Sequence, residues 1–254
     1  MRYFLELSYN GKNFNGWQRQ PSAPTVQQTV EEALSTLLGT PTEITGAGRT
    51  DTGVHAEYYV AHFDAISRIG NKKDFLYHLN ALTGHEIAVF GLRAVADDAH
   101  ARFDAISREY TYRIIPAKNP FRRDTSWQYY VPLDCEAMND AAALLTKYDD
   151  FTSFAKLNSD NRTNICHVQS AHWQRRPDGE LVFKIRSDRF LRNMIRALVG
   201  TMADVGRGKI TAERFGQILL ARDLSLSSAS APACGLFLTD VQYPENIYKD
   251  IEDI

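Results

Sequence analysis

The stretch "GAGRTDTGVHAEYYVAHFDA", residues 46–65, decides how this chain is to be read. Its first half resembles a glycine-rich phosphate cradle. Gly46 and Gly48 fit the first two glycines of G-x-G-x-x-G, but the third glycine position holds Asp51. A dinucleotide loop has to lead from a strand into a helix whose N-terminus carries the pyrophosphate. Here the loop runs into "AEYYVAHFDA", rich in tyrosine and valine, which predicts a strand. A carboxylate at that position would also repel a pyrophosphate, and no G-K-[ST] follows to make a P-loop. What remains is an aspartate in a tight turn, flanked by Arg49, Thr50, Thr52 and Gly53.

Two readings fit that turn. In the first, Asp51 shapes the loop as an Asx turn by accepting local backbone N–H groups. In the second, a nearby guanidinium keeps the carboxylate ionised, and an ionised, held carboxylate can act as a nucleophile. His55, beside the motif, reads as structural rather than as a general base.

Working outward, residues 3–9 alternate and predict a strand. "APTVQQTVEEALSTLLGTP" predicts a helix with Thr25 as N-cap, Gln28 completing a capping box, and Val26, Val30, Ala33, Leu34, Leu37 and Leu38 on one apolar face. Gly39 and Pro41 end it. Strands are expected around 43–48 and 57–64, then a helix from Asn71 to about Gly84, then the strand "EIAVFGLRAV". The second half repeats the grammar. "SREYTYRII" is a strand, "DCEAMNDAAALLTKY" a helix capped by Asp134, and strands follow near 163–173 and 181–187. A helix is expected from about residue 189, a short one at 211–221, and a final strand in "GLFLTDVQY". Each half reads β-α-β-β-α-β, the split βαβ arrangement. The expected fold is α+β: two ferredoxin-like, RRM-like halves, residues 1–104 and 105–254, sharing a mixed, mainly antiparallel sheet with a central cleft. The loop at 116–125, "PAKNPFRRDT", is the expected excursion at their joint.

With 254 residues, 44% hydrophobic and 24% charged, the chain has ordinary globular composition and the length for one large domain or two halves. No apolar run approaches the roughly 20 residues of a membrane span, and "MRYFLELSYNG" has no signal-peptide core. Cys135, Cys166 and Cys234 are odd in number and far apart, which argues against a disulfide framework or a zinc site and fits a reducing cytoplasm. Cys166 and His167 are neighbours, but neighbours on a strand point to opposite faces, so both read as structural. The histidines show no H-E-x-x-H spacing and no G-x-S-x-G occurs, so no metal is indicated.

Formal net charge is −2, but it is unevenly spread. Between Arg186 and Lys209 there are six basic residues and two acidic ones, a local excess of +4, whereas the tail "PENIYKDIEDI" is acidic. Local charge is what a phosphate feels within a Debye length of about 8–10 Å. On ideal helix geometry Arg189, Arg192 and Arg196 fall opposite the apolar face of Phe190, Leu191, Met194, Ile195, Leu198, Val199, Met202 and Val205. That stripe fits a solvated basic face, a phosphate-contacting surface or a placed counter-charge. Tyr110 and Tyr112 alternate with Thr111 and share a strand face; they fit core packing, or a platform for unpaired bases. Phe14 and Trp17, in "GKNFNGWQRQ", fit either a turn packed by its own aromatics or a surface for RNA.

Taken in order, "SYNGKNFNGWQRQ", "GAGRTDTGVHA", "ARFDAISREYTYRI", "RFLRNMIRALVGTMADVGRG" and "APACGLFLTDVQY" resemble the motifs of the TruA family of tRNA pseudouridine synthases almost end to end. Asn10, where the family commonly has aspartate, and Asp188, where it often has a smaller or neutral residue, are departures. The resemblance implies isomerisation of uridine to pseudouridine at positions 38, 39 and 40 of the tRNA anticodon stem-loop, by a homodimer, without a cofactor. Asp51 matches the family nucleophile, which attacks either the ribose C1′ or the uracil ring. Arg196 matches the arginine that pairs with it across the cleft. Tyr110 matches the aromatic that stacks on the target base, and Leu236 an apolar residue lining the pocket. Arg49 matches the arginine that helps to hold the nucleotide out of its stack. Extrusion costs a few kcal/mol, recovered through stacking and phosphate contacts. Gly46, Ala47, Gly48 and Gly53 would then leave room for a passing sugar and phosphate. The alternative is a non-catalytic RRM-like RNA-binding protein, which gives Asp51 no role. A nucleotide-dependent oxidoreductase is disfavoured by the loop's context.

Overall fold

The computed structural model describes residues 1–156 and 162–249; the end of the acidic tail lies outside the described residues. In chain order the regular elements are β1 (Arg2–Tyr9), α1 (Val26–Leu38), β2 (Thr45–Gly46), β3 (His55–Asp64), α2 (Lys72–Thr83), β4 (Ile87–Ala94), β5 (Ser107–Ile115), β6 (Trp127–Gln128), α3 (Cys135–Ala142), β7 (Val168–Arg175), β8 (Leu181–Ser187), α4 (Met194–Gly206), α5 (Ala212–Ala221) and β9 (Leu236–Gln242). The fold class is α+β. The chain divides into two compact units, Met1–Ile106 with Leu238–Ile254, and Ser107–Phe237.

In the first unit the strands run β4-β1-β3-β9, with β2 also paired to β3. Both long pairings of β1 are antiparallel, Leu5 facing Ala61 on one side and Leu92 on the other. With helices following β1 and β3, this is the split βαβ arrangement. Alternation places Tyr3, Leu5 and Leu7 on the core face, each fully buried, with Tyr59, Phe63, Val30 and Leu34 in the same core. Thr25 caps α1 through the Gln28 N–H, and Gly39 ends it with φ 68°. Only half of the expected capping box forms, because the Gln28 amide donates to Glu32 one turn on (2.8 Å).

In the second unit β5, β8 and β7 lie in that order, all antiparallel, and β6 joins β5 in parallel. The first strand of the β7–β8 hairpin starts at Val168, later than the spacing predicts. Loop 116–125 lies within this unit rather than at a joint. Arg122 ties it to Glu180, a 1% exposed carboxylate that Arg176 also grips at 2.8 Å.

The largest departure from the sequence pattern is α4. It starts at Met194, not near 189, because Asn193 turns left-handed at φ 65°. Arg189 and Arg192 therefore precede the helix, and the three arginines form no helical stripe. Every residue from Met194 to Gly206 is buried except Arg196, so the helix has one partly open position rather than an exposed polar face.

Candidate active site

Asp51 sits in the first unit, on a loop between β2 and β3 that enters a strand as expected. The carbonyl of Asp51 accepts the Val54 N–H (3.1 Å), closing a turn that Gly53 permits with φ 78°. Asp51 is half-buried and Arg49 exposed. The loop is tied down along its length. Ala47 donates to Val60 (2.9 Å), the Tyr59 hydroxyl donates to the Gly48 carbonyl, and Thr50 Oγ1 bonds the Tyr9 hydroxyl (2.9 Å). His55 is 2% exposed and its Nδ1 accepts the Gly11 N–H (3.0 Å).

The opening signature packs against this loop. Phe14 and Trp17 are buried, at 8% and 3% exposed. The Trp17 N–H points to the Thr50 carbonyl (3.4 Å), and Gly53 donates to the Phe14 carbonyl (3.3 Å). Gly16 is required there by its φ of 82° and by the Thr50 carbonyl, 2.2 Å from where a Cβ would stand. Arg19 is paired with Glu31 of α1 (2.9 Å). So Phe14 and Trp17 support the loop from beneath. Gly46 also has a reason that the motif does not announce. A Cβ there would come within 2.1 Å of the Tyr59 hydroxyl and 2.6 Å of the Trp17 ring. The space at Gly46 is thus filled by aromatic rings, not left for a sugar and phosphate, whereas Gly48 has nothing within 4 Å of that point.

The second unit carries Tyr110, Arg196 and Leu236. Tyr110 faces Ile185 across the β5–β8 ladder, and its half-exposed ring meets Phe190 edge-on at 5.2 Å. Tyr112, two residues on, is fully buried and donates to the Pro232 carbonyl (2.7 Å); burial holds its phenol well above the usual range. Of the two tyrosines, therefore, one packs and one presents a ring. Arg196 stands in the first turn of α4 and donates Nε–H to the Ala231 carbonyl (2.7 Å). Leu236 opens β9 and is 6% exposed. The strap 231–236, "APACGL", gathers these side chains: Ala231 holds Arg196, Pro232 holds Tyr112, and Gly235 lies against the Tyr112 ring.

The basic run is less open than its count suggests. Arg186 pairs with Glu109 (2.8 Å), and Arg207 and Lys209 both pair with Asp204 (2.7 and 3.1 Å). The unusual Asp188 is a local tie, its Oδ1 accepting the N–H groups of His167 and Arg189, both at 2.7 Å. Asn10 likewise accepts from the Lys12 N–H (3.1 Å). Burial pushes the Cys166 thiol up to about 12, so it is no ready thiolate. Among the described residues no cluster of three His, Cys, Asp or Glu side chains is placed to hold a metal, and no helix is long and apolar enough to cross a membrane.

A family model described as tRNA pseudouridine synthase matches residues 141–244. A protein of Parabacteroides distasonis named tRNA pseudouridine synthase A is 49% identical to this chain over 253 residues, covering 99% of each. Its namesake in Bacteroides thetaiotaomicron is 48% identical and covers 98% of this chain and 93% of its own. A more distant one, from Listeria monocytogenes, is 38% identical and covers 95% of this chain and 99% of its own.

Proposed function

The chain belongs to the tRNA pseudouridine synthase A family, and from that premise we propose that Asp51 is its nucleophile. The enzyme is an isomerase that converts uridine to pseudouridine in tRNA. In that reaction the N1–C1′ bond breaks, the uracil rotates, C5 bonds to C1′, the C5 proton is lost and N1 takes up a proton. Atoms are conserved and no electron acceptor is needed.

Asp51 attacks the flipped nucleotide at C1′ or at the ring and leaves again when the new bond has formed. Tyr110 stacks on the uracil through its half-exposed ring. Arg196 is assigned as the counter-charge of that carboxylate. Leu236 lines the base pocket, and Arg49, exposed on the nucleophile's own loop, holds the extruded nucleotide. The substrate positions are 38, 39 and 40 of the anticodon stem-loop. The working form is a homodimer in the cytoplasm.

The observation that carries this reading is the turn at 51–54. It presents a half-buried carboxylate from a loop tied at Ala47, Gly48, Thr50 and Gly53. A non-catalytic RNA-binding protein would need no such constraint on an aspartate, and family membership extends over nearly the whole chain. The test is incubation with unmodified tRNA followed by mapping of pseudouridine. Product confined to the three positions of the anticodon arm supports the assignment. Product elsewhere overturns the specificity, and no product overturns the function.

A further inference from the structure

We propose that Tyr9, Tyr59 and Trp17 form an aromatic plate that sets the reach of the Asp51 carboxylate, which makes Tyr9 and Tyr59 positioning residues for the isomerisation. This rests on the assignment of Asp51 as nucleophile.

The loop is pinned to the plate on the N-terminal side of Asp51 at two points. Three residues ahead, the Tyr59 hydroxyl donates to the Gly48 carbonyl and lies 3.4 Å from the Gly48 nitrogen. One residue ahead, the Tyr9 hydroxyl and Thr50 Oγ1 share a 2.9 Å bond. The rings behind those hydroxyls are buried, Tyr59 at 0% and Tyr9 at 4% exposed. They meet edge-on at 5.6 Å, and Trp17 stacks on Tyr59 at 4.1 Å with planes 25° apart. Trp17 continues into the backbone bond to Thr50, and Phe14 holds Gly53 beyond the aspartate. The anchors ahead of Asp51 thus trace back to one packed cluster, and the one beyond it comes from the backbone of Phe14, three residues before Trp17. Gly46 is the slot that lets the loop lie flat on it, since any Cβ would strike Tyr59 and Trp17.

Buried hydroxyls act on the reaction only through the loop, and this gives them a distinct kinetic signature. A nucleophile has to stand about 3–3.5 Å from the carbon it attacks, and a misplacement of about 1 Å can cost on the order of 100-fold in rate. Loosening the plate should therefore slow chemistry while leaving tRNA affinity intact.

The experiment compares Tyr9→Phe, Tyr59→Phe and Thr50→Val with the parent protein. It measures single-turnover conversion of unmodified tRNA at saturating enzyme, tRNA Kd by filter binding, and Tm. Expected are rate losses of about 10- to 100-fold with Kd within about 3-fold. Thr50→Ser, which keeps the hydroxyl that meets Tyr9, should recover most of the rate. Thr50 is not a core residue, so that pair reports even if a tyrosine variant folds poorly. Parental rates in both Tyr9→Phe and Thr50→Val would overturn the proposal. So would losses shared equally by rate and affinity, or no difference between Thr50→Ser and Thr50→Val. A parent protein that makes no pseudouridine would instead overturn the functional reading.

Discussion

Arg196 and Ala231 hold each other by two bonds. The guanidinium Nε–H of Arg196 reaches the Ala231 carbonyl at 2.7 Å, and the Ala231 N–H returns to the Arg196 carbonyl at 2.9 Å. One long, rotamer-rich side chain is thereby directed from its inner end, and the entropy of ordering it is spent in folding rather than when substrate binds.

Arg196→Ala should lower kcat by on the order of 100-fold, the kinetic equivalent of about 3 kcal/mol, while tRNA affinity falls less. Arg196→Lys keeps the charge but lacks the Nε–H that meets Ala231, and should lie between the two. Steady-state kinetics with separate Kd measurements check this. A loss of affinity with parental turnover at saturation would make Arg196 a phosphate contact.

Asp51→Asn should abolish product, by about 10³-fold or more, because an amide is no nucleophile. Tritium release from C5-labelled tRNA measures turnover, and filter binding should give a Kd within about 3-fold of the parent. Normal turnover in this variant would remove the catalytic assignment.

Tyr110 separates ring from hydroxyl. Tyr110→Phe keeps the aromatic surface that meets Phe190, whereas Tyr110→Ala removes a stacking interaction of about 1–3 kcal/mol. If stacking is the main role, Phe should retain most activity and Ala lose at least about tenfold in kcat/KM. Equal losses would show that the hydroxyl takes part in the chemistry.

Gly235→Ala should destabilise the second unit by about 1–3 kcal/mol. The new Cβ would stand 2.7 Å from the Tyr112 ring and 2.9 Å from the Arg113 carbonyl. Tyr112 cannot easily yield, being fully buried and bonded to Pro232. Urea unfolding followed by near-UV circular dichroism gives the value.

His62 gives the first unit a pH dependence. It is 7% exposed, its Nδ1 accepts the Ala101 N–H (3.1 Å), and its ring meets His100 at 4.7 Å. Burial first, then the charge of Arg2, pulls it down to about 4 from an ordinary 6.5. The unfolded chain therefore binds the extra proton between those values. Stability should be complete above about pH 6.5, fall as pH drops to 4, and level off below, a loss on the order of 3 kcal/mol. His62→Asn should flatten that part of the pH profile of the urea midpoint. The Asp64 carboxyl, held low mainly by its hydrogen bond from Arg2, adds a further loss at lower pH that the variant should keep.

Helix caps and strand alternation were legible because they are local. Thr25, Asn71 and Asp134 cap the helices that they precede, each through its own side chain. The passage from the glycine-rich loop into β3 was legible too, from Tyr58, Tyr59 and Val60. The start of α4 was not. Periodicity counts Phe190 and Leu191 as helical whatever covers them. The bonds from Asn193 to Ser230 and from Ser228 to Thr201 come from a segment some 30 residues away in the chain.

By itself the sequence determined the element order, the two-fold repetition of a split βαβ pattern, and the turn in which Asp51 stands, because caps, alternation and glycine punctuation act between near neighbours. Tertiary structure alone decided that Gly46 makes way for Trp17 and Tyr59. It also decided that Glu109 neutralises Arg186, and that Arg196 is the only residue of a buried helix left partly open. Those outcomes depend on distances between residues far apart in the chain, and no local pattern encodes them.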